Sequence, residues 1–156
     1  MEANIRFGTA DQSIDKSEVE RVLELSQLKE DVSRFAKGDQ TLVGEKGIML
    51  SGGQKQRLSI ARALLTSSDL LIMDNVLSAV DYETERKILA GLFQQIQSQS
   101  VLVVSHRISA LESMDEILVM QQGRIIARGT HQSLLETSDY YRETWQLQQH
   151  STEVKA

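Results

Sequence analysis

Residues 49–57 read Met49-Leu50-Ser51-Gly52-Gly53-Gln54-Lys55-Gln56-Arg57, and the fold turns on how this stretch is taken. Ser51 is a good helix N-cap, and Leu58, Ala61, Leu64 and Leu65 follow it as an apolar stripe at helical spacing. The first N–H groups of such a helix have no internal acceptor and lie at the positive end of its dipole. Two glycines let a large oxyanion approach that backbone with no Cβ in the way, and Ser51 adds a hydroxyl donor. This end of the helix suits a phosphate, although taken alone it reads more readily as an ordinary Ser-capped helix. Nowhere does the chain contain Gly-x4-Gly-Lys-Ser/Thr, the loop that cradles a nucleotide's phosphates.

Towards the N-terminus the pattern is helical. Val19, Val22, Leu23 and Ser26 share a face of a helix that Asp15 or Ser17 can cap, Leu28, Val32 and Phe35 mark a second, and Gly38 stands where a C-cap belongs. Thr41–Gly47, "TLVGEKG", is then a loop. Towards the C-terminus, Leu70–Met73 is a short apolar run ending in Asp74, which predicts a parallel strand covered on both faces. Asp81 caps a helix with Ile88, Leu89, Leu92, Phe93 and Ile96 inward, and Val101–Val104 is a second such strand, ending at Ser105-His106. Strand, helix and strand at this spacing predict an α/β fold with a right-handed parallel unit. Glu116–Met120 and Arg124–Arg128 flank Gln122-Gly123 as a hairpin, and helices over Thr130–Glu136 and Asp139 to about Gln149 complete the pattern before a polar tail, frayed after Ser151.

Bulk properties narrow the function. A net charge of −5 argues against a nucleic-acid backbone binder, which needs clustered Lys and Arg. The absence of cysteine excludes disulfides and thiolate metal sites. Apolar runs are too short to span a bilayer and no signal-peptide pattern is present, so the chain as it stands reads as soluble and cytoplasmic. Aromatics make up only 4%, so the core must be aliphatic.

Three further residues can carry chemistry. Asp74 ends a strand at the edge where open α/β sheets bind ligands and is placed to hold a hydrated Mg2+, or is a surface Asp that ends a strand. Asn75 follows, where a nucleotide hydrolase wants a carboxylate; a carboxamide orients water but cannot take its proton. His106, past the second strand, can donate to a terminal phosphate or can be a solvated histidine.

In their order, LSGGQ-KQR, LLIMD, Ser78-Ala79-Val80-Asp81 and Ser105-His106 resemble the nucleotide-binding domain of ABC transporters over nearly the whole chain. Leu50–Gln54 resembles the signature motif, Leu70–Asp74 Walker B, Ser78–Asp81 the D-loop and His106 the switch histidine. "TLVGEKG" is similar to the exporter-type loop usually written TEVGERG, with Leu42 in place of an acid. Asn4-Ile5-Arg6-Phe7-Gly8 resembles the segment after the Q-loop.

The resemblance implies an incomplete P-loop NTPase (RecA-like) core with parallel strands, an α-helical signature subdomain, and a C-terminal β-hairpin with helices. It implies a truncated ATPase domain over 1–150, with the helical subdomain at about 9–66, the remaining catalytic core at about 67–150 and a frayed tail at 151–156. Walker A, the stacking aromatic and the Q-loop belong upstream of Met1, so the strands here are expected to lose neighbours and the isolated chain to expose apolar surface and bind ATP weakly or not at all.

The family pairs two such domains head to tail, and that explains a phosphate-facing helix end with no cradle. Ser51, Gly52, Gly53 and Gln54 are expected to bind ATP held by a second, non-identical nucleotide-binding domain. Asp74 is expected to hold Mg2+ through water, and Asp81 and His106 to act at the catalytic centre. Asn75, at the position of the usual catalytic Glu, is expected to slow the chain's own site. The full-length protein is then an ATP hydrolase driving export, joined to a transmembrane domain at the cytoplasmic face of the (inner) membrane, with no nucleic-acid partner. Two alternatives are a soluble relative from DNA repair or translation, disfavoured by the exporter-like loop, and a non-hydrolysing regulatory or interaction module, favoured by Asn75.

Overall fold

Asp15 opens the first long helix. Its side chain accepts from the Glu18 N–H at 3.0 Å, and the Ser17 hydroxyl donates to it at 2.6 Å, so of the two expected caps Asp15 is the one that serves. In the computed structural model, residues 1–7, 9, 14–45, 47–66, 68–95 and 100–153 are described, the side chains of 151–153 excepted. Gly8 of the segment after the Q-loop, Ile96 of the expected inner face and 154–156 of the expected tail lie outside the described residues. The chain forms two compact units, Met1–Val104 and Ser105–Ala156.

In the first unit, α1 (Glu2–Ile5), α2 (Lys16–Leu25), α3 (Lys29–Ser33) and α4 (Gly52–Leu65) close around an aliphatic core. Ile5, Val19, Val22, Leu23, Leu28, Val32, Leu50, Leu58, Ala61 and Leu65 are all buried in it. Ser26 is fully buried too, its hydroxyl donating to the Leu23 carbonyl at 3.3 Å. Truncating Ile5 or Leu28 to alanine in such a core costs about 2–5 kcal/mol. Gly38 departs from expectation: α3 ends at Ser33 with Arg34 as its C-cap, and Gly38, at φ +51, starts a separate 3-10 turn. The loop before α4 is pinned by Gly47, where a Cβ would lie 2.1 Å from the Leu42 carbonyl oxygen.

β1 (Leu70–Asp74) pairs in parallel with β2 (Ser100–Val104), from Leu70↔Ser100 to Asp74↔Val104, with α5 (Tyr82–Gln95) between them. The expectation that both strands are covered on both faces is not met. Leu71 and Met73 are buried, but Leu70, Ile72, Leu102 and Val104, which share the other face, are each about half exposed. A parallel strand becomes a continuous apolar run because both its faces are normally covered; among the described residues of this unit nothing covers the second face. The anticipated apolar exposure is there.

In the second unit, β3 (Ile117–Gln121) and β4 (Arg124–Gly129) form the expected antiparallel hairpin. Gln122 and Gly123 both take positive φ, as its tight turn requires. α6 (His131–Thr137) is capped by Thr130 and α7 (Asp139–Glu153) follows. Ile108, Ile117, Val119, Leu134 and Tyr141 make the core. His131 serves it: Nδ1 lies 2.9 Å from the Tyr141 hydroxyl and the ring meets Trp145 edge-on. Burial and the nearby Glu112 carboxylate push the Tyr141 phenol up to about 12. α7 passes the expected end near Gln149, since the polar run to Glu153 holds no glycine or proline to stop it.

Candidate functional site

The start of α4 is a complete capping box. The Ser51 Oγ accepts from the Gln54 N–H at 3.2 Å, and the Gln54 Oε1 accepts from the Ser51 N–H at 2.9 Å. Two backbone donors are thereby consumed. The amides of Gly52 and Gly53 have no intrahelical acceptor, and Ser51 and Gly52 are exposed. The serine hydroxyl, accepting in the cap, still has its own proton to donate.

The two glycines differ. A Cβ on Gly52 would meet only the Ala79 Cβ at 3.6 Å, whereas one on Gly53 would fall 2.8 Å from the Ala79 carbonyl oxygen. Gly53 is therefore required by the loop 75–80 packed on it, whereas at Gly52 an added Cβ would make only an ordinary van der Waals contact. Gln54 is committed inside the chain as well. Its Nε2 donates to Asp31 Oδ1 at 2.8 Å, and the other Asp31 oxygen pairs with Arg57 at 2.8 Å. Arg57 also donates to the Gln27 carbonyl. Nothing in the sequence pattern around Asp31 indicates that it braces this helix from more than twenty residues away.

Gln56 joins α4 to the segment after β1. Its Nε2 donates to the Ser78 Oγ at 2.8 Å, and its Oε1 accepts the Ala79 N–H at 2.8 Å. The loop has its own anchors, Leu77 and Val80, both buried. It begins at Asn75, whose N–H donates to the Val104 carbonyl at 2.9 Å and whose φ is +51. Asparagine tolerates that left-handed backbone better than most residues do. The loop ends at Asp81, which caps α5 by accepting from the Thr84 N–H at 2.9 Å. Hydrogen bonds from the Thr84 amide and hydroxyl hold the Asp81 carboxyl below the usual aspartate range.

Asp74, at the end of β1, is exposed. Among the described residues no cluster of three or more His, Asp or Glu side chains could hold a metal ion. One carboxylate fits a hydrated Mg2+ whose other ligands are water and a nucleotide's phosphates, and does not fit a resident metal centre. The donors at Ser51 and Gly52 fit an anion in the same sense. The first unit thus brings Ser51–Gln54 and Asp74–Asp81 into one connected assembly through Gln56 and Gly53. His106 stands in the second unit, exposed, its carbonyl accepting from the Gln148 Nε2 at 2.8 Å while Gln148 Oε1 accepts the Ile108 N–H at 2.9 Å.

The sequence model of the ABC transporter family matches residues 2–78. The chain is 48% identical over 134 residues to the multidrug resistance-like ATP-binding protein MdlA of Escherichia coli (strain K12), covering 86% of this chain and 23% of that protein. It is 42% identical over 151 residues to the ATP-dependent lipid A-core flippase of Nitrosococcus oceani, covering 96% and 25%. It is similar in structure to a bacterial Atm1-family ABC exporter solved with ATP bound, at a TM-score of 0.85 and 34% identity, covering 94% of this chain and 26% of that one. The chain spans about a quarter of the length of the relatives it matches.

Proposed function

This chain belongs to the ABC transporter family, and from that premise we propose that the start of α4 completes the ATP site of a second, non-identical nucleotide-binding domain in an ATP-driven exporter. One observation carries the reading. Among the helices of ten residues or more, α2, α5 and α7 each have a carboxylate in the first turn, and α4 has none. Its dipole is left uncompensated at an end where the Gly52 amide and the Ser51 hydroxyl are exposed donors.

In this reading Ser51, Gly52 and Gly53 hydrogen-bond the terminal phosphate oxygens, and Gln54 contributes by fixing the cap. Asp74 orients a hydrated Mg2+ at the chain's own site; the bound ion neutralises phosphate charge. His106, in the second unit, serves as a donor to a terminal phosphate, and Asp81 fixes the end of the loop that follows Asp74. Asn75 orients water without accepting its proton, so this site binds ATP and turns over slowly. A cleft of about 320 Å3 lined by Val43, Met49, Leu50, Leu58 and Arg62, beside the exposed Leu42, supports docking to a transmembrane domain at the cytoplasmic face of the membrane.

These 156 residues hold no cysteine, so Ser51→Cys gives them one reporter thiol at the helix end, read by peptide mapping apart from any thiol elsewhere in the full-length protein. With Mg-ATP in the assembled full-length dimer, alkylation of that thiol should slow at least about tenfold, as expected of a desolvated, contacted group. In the 156-residue chain alone, millimolar ATP should leave it unchanged. Equal labelling with and without nucleotide in the dimer sinks the proposal.

The non-hydrolysing reading is favoured by Asn75, and Asn75→Glu in the full-length protein separates the two. A slow but competent site should gain about 10²-fold or more in turnover from a restored general base, despite roughly 1 kcal/mol of left-handed backbone strain in a residue other than Asn or Gly. No gain, measured by phosphate release, would mean that the asparagine is not limiting.

A further inference from the structure

Gln56 lies between two anchored bodies. On its own helix, Leu58, Ile60 and Ala61 are buried and Arg57 is paired with Asp31. Across from it, Leu77 and Val80 fix the loop 75–80. The half-buried Gln56 carboxamide spans the gap and uses both its ends, donating to Ser78 and accepting from the Ala79 amide, each at 2.8 Å. Beside these bonds the Ala79 carbonyl comes so close to Gly53 that a methyl group there could not be accommodated without movement. Three contacts by different groups thus hold one short loop against one helix end.

We infer that Gln56 is a positioning residue that locks the loop following Asp74 to the phosphate-facing end of α4, so that the two move as one piece. The inference rests on the function proposed above. It adds that the placement of Ser51 and Gly52 opposite a partner's nucleotide and the placement of Asp74 and Asn75 at the chain's own site are not independent. The side chain has the reach and the paired donor and acceptor that this requires. Asparagine is one methylene too short. Glutamate keeps the acceptor for Ala79, and the Ser78 hydroxyl can turn to donate to it. Methionine keeps the length and loses both bonds.

The test has two parts. By hydrogen exchange on the full 156-residue chain, Gln56→Met should speed exchange of the Ala79 amide by about tenfold or more, leaving the Leu58 and Ala61 amides unchanged, while Gln56→Glu retains protection to about twofold. In the full-length protein, Gln56→Met should lower kcat for ATP about tenfold with KM within about twofold, and Gln56→Glu should restore it, since misplacement costs rate more than binding. Gln56→Asn should behave as Gln56→Met and serves if the latter does not fold. Unchanged Ala79 protection overturns the clamp; released protection with normal kcat overturns its role in positioning. Failure of the underlying functional reading appears separately, as loss of nucleotide protection at Ser51→Cys in a chain with Gln56 intact.

Discussion

α4 and α5 are each fourteen residues long, and each starts at a polar cap on the first unit, yet their starts are built to opposite ends. α5 is capped by Asp81 and carries Glu83 and Glu85 in its first turn, so its positive end is neutralised from within. α4 is capped by a neutral serine, has two glycines and no acid, and leaves donors open. A helix that only needs to fold takes the first arrangement. The second gives up local electrostatic stability at a surface, and it suits the anion that the proposed function brings there.

Making α4 resemble α5 is the strongest way to break this comparison. On the proposed function, Gly52→Asp should lower ATP turnover of the full-length protein by about 10²-fold or more, the scale of losing a preorganised donor to a developing charge. It should leave the melting temperature of the chain unchanged or slightly raised. A stability loss with normal turnover would reverse the assignment.

The contrast between the glycines sharpens it. Gly53→Ala drives a Cβ into the Ala79 carbonyl and should destabilise the chain by about 1–3 kcal/mol in urea unfolding. At α5, Asp81→Ala should cost about 1 kcal/mol. Because the folded state holds this carboxyl below its ordinary value of 3.8, that contribution is present above pH 3.8 and is lost as pH falls through the depressed value. Parent and variant should therefore converge in stability in strong acid. Smallest of all, Gly52→Ala should change stability by less than about 0.5 kcal/mol, toward stabilisation, since alanine favours a helix and its Cβ would meet only the Ala79 Cβ, at 3.6 Å.

Elements with strong local signals were legible in advance. The Asp15, Ser51 and Asp81 caps and the Gln122-Gly123 turn correspond to local chemistry, and the two apolar runs pair in parallel as a strand, helix and strand at that spacing imply. Gly38 misled because a positive φ serves a turn as well as a helix end. The coverage of β1 and β2 misled because composition reports the environment a strand is suited to, and Leu70, Ile72, Leu102 and Val104 are suited to one that the described residues of this unit do not supply. Asp31, Gln56 and the tight seat of Gly53 were invisible, because each depends on a partner more than twenty residues distant.

By itself the sequence determined which helix ends are capped, which is left electropositive, and which family's motifs follow in order, because these depend on neighbours within a few residues. Only the tertiary structure decided that a Cβ at Gly53 would strike a carbonyl while one at Gly52 would make an ordinary contact, that Gln54 is spent on Asp31, and that Gln56 binds α4 to the loop after Asp74. Those outcomes depend on distances across the fold, fixed by where Leu58, Ile60, Leu77 and Val80 bury themselves.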